Sequence, residues 1–174
     1  MNAVVGNIKS HIDPNFSPDK SLDFGYGVGR LFIPISKFPS NVVGVDISQS
    51  MLDEAKLNCG KMNIRNPDFL QSVDNIMELG SSFDFIHSFI VFQHIPAKRG
   101  LPLFKTPLHL QKEGGICVVH FTYAKTRWYF NPAYWIIKHI PLVKYLINLI
   151  KRRSLSEPQA QMNDYNLNKL FKII

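Results

Sequence analysis

The sequence predicts an α/β domain built on a doubly wound, mostly parallel sheet with flanking helices. Apolar runs typical of strands alternate with helical periodicity between residues 20 and 123. Within this region, the strand-like run at Leu22 leads into three glycines at alternate positions, and a second apolar run ends in Asp46. The run from Phe83 to Val91 is almost entirely apolar, as expected for a central parallel strand that is covered on both faces.

Periodicity and end signals predict the elements in order. A helical stripe of Val4, Ile8 and Ile12 comes first, ahead of Pro14. The expected strands lie at 22–24, 42–45, 68–71, 83–91 and 115–121. The first expected helix lies at about 29–37, and the second begins at a cap, Ser48 or Ser50, and ends at about Asn58. A third helix is expected within 97–112, where Pro102 and Pro107 must start, kink or shorten it.

Length and composition indicate one globular enzyme domain, since the chain has 174 residues and is 45% hydrophobic. Cys59 and Cys117 fall in a predicted helix and a predicted strand, which favours reduced, buried thiols over a disulfide or a metal site. The sequence shows neither a signal peptide nor an uninterrupted apolar stretch long enough for a membrane span. A cytoplasmic setting is therefore expected.

The glycines at positions 25, 27 and 29 form a turn that lets a ligand approach the backbone closely. Asp23 precedes this turn, where it would repel an anion and hold an ammonium or sulfonium group. Asp46 ends the next strand and can accept both hydroxyl groups of a ribose. The pattern favours an adenosyl ligand without a pyrophosphate. An NAD-dependent oxidoreductase is an alternative, although it would need the third glycine one residue later.

These motifs resemble those of the class I S-adenosylmethionine-dependent methyltransferases, whose first motif has the form D-x-G-x-G-x-G. Asp23 to Gly29 is similar to this motif, and Gly44 to Leu52 is similar to the second strand and the helix cap after it. Phe83 to Pro96 resembles the fourth strand with its exit loop, and Gly114 to His120 resembles the turn into the fifth. The resemblance implies a Rossmann-like fold, S-adenosylmethionine as cofactor and methyl transfer as the activity.

The cofactor-binding residues implied by the resemblance lie at the carboxyl ends of the strands: Asp23, Gly25, Tyr26, Gly27, Gly29, Asp46, Ile47, Met51, Asp74, Asn75 and Phe89. Many relatives carry a small residue where Tyr26 stands, so its ring either crowds the cofactor pocket or lines it. Asp74 is either an acid near the adenine amino group or part of a helix cap. His94 is a candidate general base or substrate-orienting residue, with a structural loop contact as the alternative.

The stretch from Tyr123 to Ser154 carries seven Lys and Arg residues and no acid, which equals the net charge of +7 for the whole chain. Two tryptophans, several other aromatics and an apolar run lie among these cations. Three interpretations are open: a lid over the substrate cleft, peripheral contact with an anionic membrane through residues 124–153, or nucleic-acid binding, which the apolar character makes the least favoured.

The last residues predict a helix capped by Asn163 or Asp164, with an apolar stripe of Leu167, Leu170, Phe171 and Ile174. Related methyltransferases continue into an antiparallel strand pair, so the expected sheet lacks these strands and leaves its fifth strand with an open edge. The predicted organisation is a single domain, 1–174, with a cofactor-binding core (20–123), a basic aromatic lid or insert (124–156) and a terminal helix (157–174). A small-molecule acceptor, lipid-linked, aromatic or glycan-type, is expected. A truncated, noncatalytic cofactor-binding or membrane-surface module is the alternative.

Overall fold

The computed structural model describes residues 1–37, 41–64, 67–71, 76–80, 82–123 and 162–174. In these residues the chain forms a five-stranded sheet with the order β3-β2-β1-β4-β5, and every neighbouring pair is parallel. The strands are β1 (Lys20–Phe24), β2 (Asn41–Val45), β3 (Asp68–Leu70), β4 (Phe83–Ser88) and β5 (Gln111–Val119). The strand order reverses between β1 and β4, which is where open α/β sheets bind their ligands. The predicted fold class is confirmed.

Five α-helices are described, together with two short 3-10 helices. The α-helices are α1 (Asn2–His11), α2 (Phe32–Ile35), α3 (Gln49–Lys61), α4 (Ala97–Leu110) and α5 (Leu167–Phe171), and the 3-10 helices are Ile76–Leu79 and Phe92–His94. Ser48 caps α3 as predicted, because its side chain accepts a hydrogen bond from the Met51 N–H. No described helix has the length and apolar character required to cross a membrane.

Alternate residues of the strands pack on opposite faces of the sheet, as a doubly wound fold requires. Leu22 and Phe24 of β1 belong to one buried cluster with Phe104 of α4. Val42 of β2 packs on the other face with Phe32 of α2, in a cluster that also includes residues of α3. Both faces are therefore covered, and the carboxyl edge of the strands is left for a ligand.

Several predicted boundaries were wrong. The second helix is shorter than expected, and β4 ends at Ser88 rather than Val91. In α1, Val5 and Ile8 are buried, whereas Ile12, which follows the end of this helix, is 67% exposed. Helix α4 runs continuously through both prolines. Its packing against the sheet through Phe104 and Leu110 offers a physical reason, because tertiary contacts supply most helix stability in proteins.

The segment after residue 161 is anchored by Tyr165, a residue that the sequence pattern did not single out. Its side chain is 1% exposed, and its hydroxyl donates to the Ile95 carbonyl at 2.7 Å. A Cβ atom on Gly100 would lie 1.8 Å from that hydroxyl, so α4 carries a glycine where the tyrosine lies. The Tyr165 N–H donates to the Thr122 carbonyl at 2.7 Å, which joins the segment to the end of the sheet.

The terminal helix differs from its prediction in cap and in packing. Asn166, rather than Asn163 or Asp164, caps α5. Leu170 is buried, but Phe171 and Ile174 are largely exposed, so most of the predicted stripe does not reach the core of the described residues. Strand β5 lies at the sheet edge as expected, with β4 as its only partner among the described strands.

Candidate cofactor site

The glycine turn after β1 adopts a backbone that other residues rarely accept. The φ angles of Gly25, Gly27 and Gly29 are +79°, +54° and +84°, all in the left-handed region. A Cβ on Gly25 would lie 2.3 Å from a methyl group of Val91, whereas a Cβ on Gly27 would have no atom within 4 Å. Gly25 therefore allows the chain after β4 to approach, and Gly27 borders open space.

Asp46 connects the end of β2 to the glycine turn. Its Oδ2 accepts from the Gly27 N–H at 2.9 Å, and its Oδ1 accepts from the Ser48 N–H at 3.0 Å. The carboxylate is half-buried, and each oxygen keeps a further lone pair for a ligand hydroxyl. Asp46 thus has a structural role that the sequence pattern did not indicate, in addition to its predicted place at the site.

Tyr26 is one of the residues that line a cavity beside the glycine turn. The side chain is buried and packs against Phe32 and Phe69, with ring centroids 6.2 and 4.8 Å away. A Cβ on Gly44 would lie 2.8 Å from the Tyr26 ring, so the glycine in β2 leaves space for it. Burial, with a smaller contribution from the Asp46 carboxylate, raises the pKa of Tyr26 to about 12. The Tyr26 ring therefore packs in the core beneath the glycine turn.

Asp23 lies on β1 opposite His87 of β4 in the parallel register. Both residues are 2% exposed, and Asp23 Oδ1 lies 3.5 Å from His87 Nδ1, close enough for an ion pair but without good hydrogen-bond alignment. Burial raises the pKa of Asp23, although the nearby His87 opposes the shift. Asp23 Oδ2 has no hydrogen-bond partner among the described residues.

Two cavities adjoin the glycine turn, and Gly25 lines both. The larger one has a volume of about 900 Å³. Its walls include Asp46 and Ile47, which follow β2, Gln71, which follows β3, and His94 and Arg99 from the chain after β4. The smaller one has a volume of about 450 Å³ and is lined by Asp23, Gly27, Met51, Phe89 and Ile90, among others. Each cavity therefore has one of the two predicted acids in its wall.

Exposed apolar side chains surround these openings. Ile47 is 76% exposed, Phe89 is 46% exposed, and Met51 is 39% exposed. Ile90 is 41% exposed and has a φ of +68°, which is a strained conformation for a β-branched residue. Large apolar groups left open to solvent beside a cavity indicate a surface that a ligand covers.

The predicted site residues are only partly brought together. His94 is exposed and borders the larger cavity, with its Nε2 3.3 Å from the Gln93 amide nitrogen. Gly29 faces Ala55 of α3 rather than either cavity. Asp74 and Asn75 lie outside the described residues, as do residues 124–161.

Sequence reasoning missed His87, Val91 and Arg99 as residues of the site region. A histidine in the otherwise apolar core of β4 was the one available signal for His87, since a buried imidazole needs a polar partner. No local pattern could indicate Val91, whose importance arises from its contact with Gly25 across the sheet.

A doubly wound sheet with a glycine turn between two acids, each beside its own cavity, defines an α/β protein with a site for a nucleoside-type ligand. Residues 22–115, more than half of the chain, match the family described as Methyltransferase domain, and the chain belongs to that family. The predicted relation to class I S-adenosylmethionine-dependent methyltransferases is thereby confirmed.

Similar proteins agree with this assignment. The chain is 28% identical over 124 residues to a ubiquinone biosynthesis O-methyltransferase of Bartonella tribocorum, covering 70% of this chain and 50% of that protein. It is 30% identical over 74 residues to the enzyme of the same name from Mesorhizobium japonicum, covering 42% of this chain and 30% of that protein. The chain thus spans half or less of the length of these relatives.

Solved structures show the same fold. Magnesium protoporphyrin IX methyltransferase from Synechocystis PCC 6803, solved with bound S-adenosylhomocysteine, matches with a TM-score of 0.64 at 20% identity. The alignment covers 99% of this chain and 68% of that one. A second structure of that protein, with bound S-adenosylmethionine, matches with a TM-score of 0.52 at 26% identity, covering 63% of this chain and 52% of that one.

Proposed function

We propose that this protein binds S-adenosylmethionine across the two cavities and transfers its methyl group to a small-molecule acceptor. The observation that carries the proposal is the glycine turn, which lies between the two cavities and has one acid on each side. A ligand with a ribose at one end and a cationic amino-acid group at the other matches this arrangement.

The larger cavity suits the adenosine part. Asp46 lies in its wall with lone pairs available for the ribose hydroxyls. Ile47 offers an exposed apolar surface against which a purine ring can pack. The volume of about 900 Å³ falls within the range of small-molecule sites. Asp74, either an acid near the adenine amino group or part of a helix cap, and Asn75 remain predicted cofactor-binding residues.

The smaller cavity suits the amino-acid part. Asp23 offers a buried carboxylate oxygen without a partner among the described residues, which an ammonium group would satisfy. Gly27 leaves open space beside the turn, so that the ligand can approach the backbone closely. A diphosphate would meet the buried acid instead, and this disfavours a dinucleotide here.

S-adenosylmethionine held by Asp23 and Asp46 would supply an activated sulfonium methyl group with the thioether sulfur as leaving group, and a hydroxyl acceptor would release its proton to solvent. The protein residues mainly hold the two reactants in line and exclude water. His94 borders the larger cavity and not the smaller one, which favours an orienting role over that of a general base.

A small acceptor with an apolar body is supported by Phe89 and Ile90, which expose apolar side chains beside the smaller cavity. The two relatives named above are O-methyltransferases, so a hydroxyl is the proposed acceptor group. Other relatives are named 23S rRNA methyltransferases, but these match over only 31% and 36% of the chain. An RNA acceptor is therefore the outcome to test against.

The cofactor proposal is tested by calorimetric titration with S-adenosylmethionine, S-adenosylhomocysteine and NAD. The wild-type protein should bind the first two and not the third. Asp46→Ala should weaken binding by about 1.5 to 3 kcal/mol because charged hydrogen bonds to the ribose are lost. Asp68→Ala is the matched control, since this exposed acid lies at the start of β3, away from the cavities, and should not change affinity. Equal affinity of the Asp46 variant and the wild type would remove the ribose role.

The acceptor proposal is tested by incubating the protein with radiolabelled S-adenosylmethionine and either phenolic lipids or ribosomal RNA. Label in the lipid fraction supports the proposal, and label in RNA contradicts it. Cofactor binding without transfer to any acceptor would favour the noncatalytic alternative. Sedimentation with anionic vesicles in parallel tests the predicted membrane contact of residues 124–153.

A further inference from the structure

A buried histidine lies behind the carboxylate proposed to receive the cofactor's amino group. β1 and β4 are neighbours at the point where the strand order reverses, and Asp23 and His87 are register partners across them. Their side chains share one face of the sheet, with Asp23 Oδ1 3.5 Å from His87 Nδ1. Neither residue is more than 2% exposed.

The two oxygens of Asp23 have different surroundings. Oδ1 lies beside the imidazole, whereas Oδ2 is buried without a hydrogen-bond partner in the described part of the chain. Asp23 also lines the smaller cavity. A carboxylate in this position is costly unless positive or hydrogen-bonding groups meet both oxygens. His87 can meet one of them, and the other is left for a ligand.

The imidazole is held in place by aromatic neighbours. Phe85 of β4 and Phe89, which follows the end of β4, lie on either side, with ring centroids 6.1 and 6.3 Å from the His87 ring. The Phe89 ring is close to parallel with it, at an interplanar angle of 19°, and Phe89 itself lines the smaller cavity. The His87 ring therefore lies between two aromatic rings, with its Nδ1 3.5 Å from Asp23 Oδ1.

We propose that His87 is a positioning residue for the amino-acid end of the cofactor: with ligand bound, its Nδ1–H would donate to Asp23 Oδ1, which lies 3.5 Å away in this structure, and so hold the carboxylate with Oδ2 directed to the ligand ammonium. This inference rests on the proposed function, because it assigns His87 a role at the same site. Without the imidazole, both oxygens of the buried Asp23 carboxylate would lack a protein partner, and nothing would hold the carboxylate toward the ligand.

Two variants separate the hydrogen-bonding role from packing. His87→Phe keeps a ring of similar size among Phe85 and Phe89 but removes the donor. His87→Asn keeps a donor near the position of Nδ1 but removes the ring. Equilibrium unfolding in urea measures how much each variant loses in stability, and binding is compared only under conditions where each is folded.

The experiment measures dissociation constants for S-adenosylhomocysteine, which has the amino-acid end, and methylthioadenosine, which lacks it. For His87→Phe we expect affinity for S-adenosylhomocysteine to fall about tenfold or more, the effect of losing a charged contact. Affinity for methylthioadenosine should stay within about twofold of wild type. His87→Asn should recover most of the lost affinity.

Equal losses for both ligands in His87→Phe would show a merely structural role and overturn the inference, as would unchanged affinity for S-adenosylhomocysteine. Failure of His87→Asn to recover affinity would overturn it as well. A wild-type protein that binds neither ligand would instead refute the proposed function itself, so the two failures are distinguishable.

Discussion

Replacing Gly25 with alanine tests the geometry on which the site depends. Its φ of +79° costs an L-residue about 1 to 2 kcal/mol. The new Cβ would also lie 2.3 Å from Val91 Cγ2, an overlap that costs about 1 to 3 kcal/mol to relieve in a packed core. The free energy of unfolding should therefore fall by about 2 to 5 kcal/mol.

Gly27→Ala is the matched control for this variant. Gly27 also has a left-handed backbone, with φ of +54°, but a Cβ there would meet no atom within 4 Å. Its unfolding free energy should fall by only the conformational part, about 1 to 2 kcal/mol. Because its side chain would occupy the proposed ligand space, Gly27→Ala should nevertheless weaken cofactor binding.

A double-mutant cycle with Val91→Ala isolates the overlap. Removing the Val91 methyl groups should destabilise the wild-type protein but recover stability in the Gly25→Ala background, giving a coupling of about 1 to 3 kcal/mol. The assay is urea unfolding followed by circular dichroism, without ligand. A coupling below about 0.5 kcal/mol would refute the contact between the turn and the chain after β4.

Two other predictions concern stability away from the site. Asp84 accepts the first backbone N–H groups of β1 and pairs with Lys112, so Asp84→Ala should lower the free energy of unfolding by about 1.5 to 3 kcal/mol, measured by urea unfolding. Burial opposes the shift, but these contacts lower the pKa of Asp84 from 3.8. The stabilisation that Asp84 contributes is therefore complete above pH 3.8 and is lost as the pH falls through the folded-state pKa. The Asp84→Ala variant should not show this loss of stability. Gly100→Ala should lower the thermal midpoint because its Cβ overlaps Tyr165, whereas Gly6→Ala in α1, with no atom within 4 Å, should leave it unchanged or raise it.

The predictable part of the site is the part encoded locally. The glycine turn with Asp23 and Asp46 could be placed because a strand, a turn and a strand follow one another within about twenty-five residues and obey fixed handedness. Ser48 as a helix cap was predictable for the same reason, since a cap depends on its own neighbours.

The remaining features depend on contacts between distant parts of the chain. The packing of the Tyr26 ring depends on the space beside Gly44, a residue of a neighbouring strand. The partnership of Asp23 with His87 follows from the register of β1 and β4, which a single sequence does not reveal. The position of Tyr165 likewise could not be predicted, because it depends on contact with Gly100 in a distant helix.

The backbone hydrogen bond between Thr122 and Tyr165 bears on how insertions and deletions are accommodated between these two residues. This hydrogen bond brings a residue just before the 124–161 stretch and a residue just after it together at the end of the sheet. The loop-closure entropy of a segment joining these two residues varies only slowly with the length of the segment.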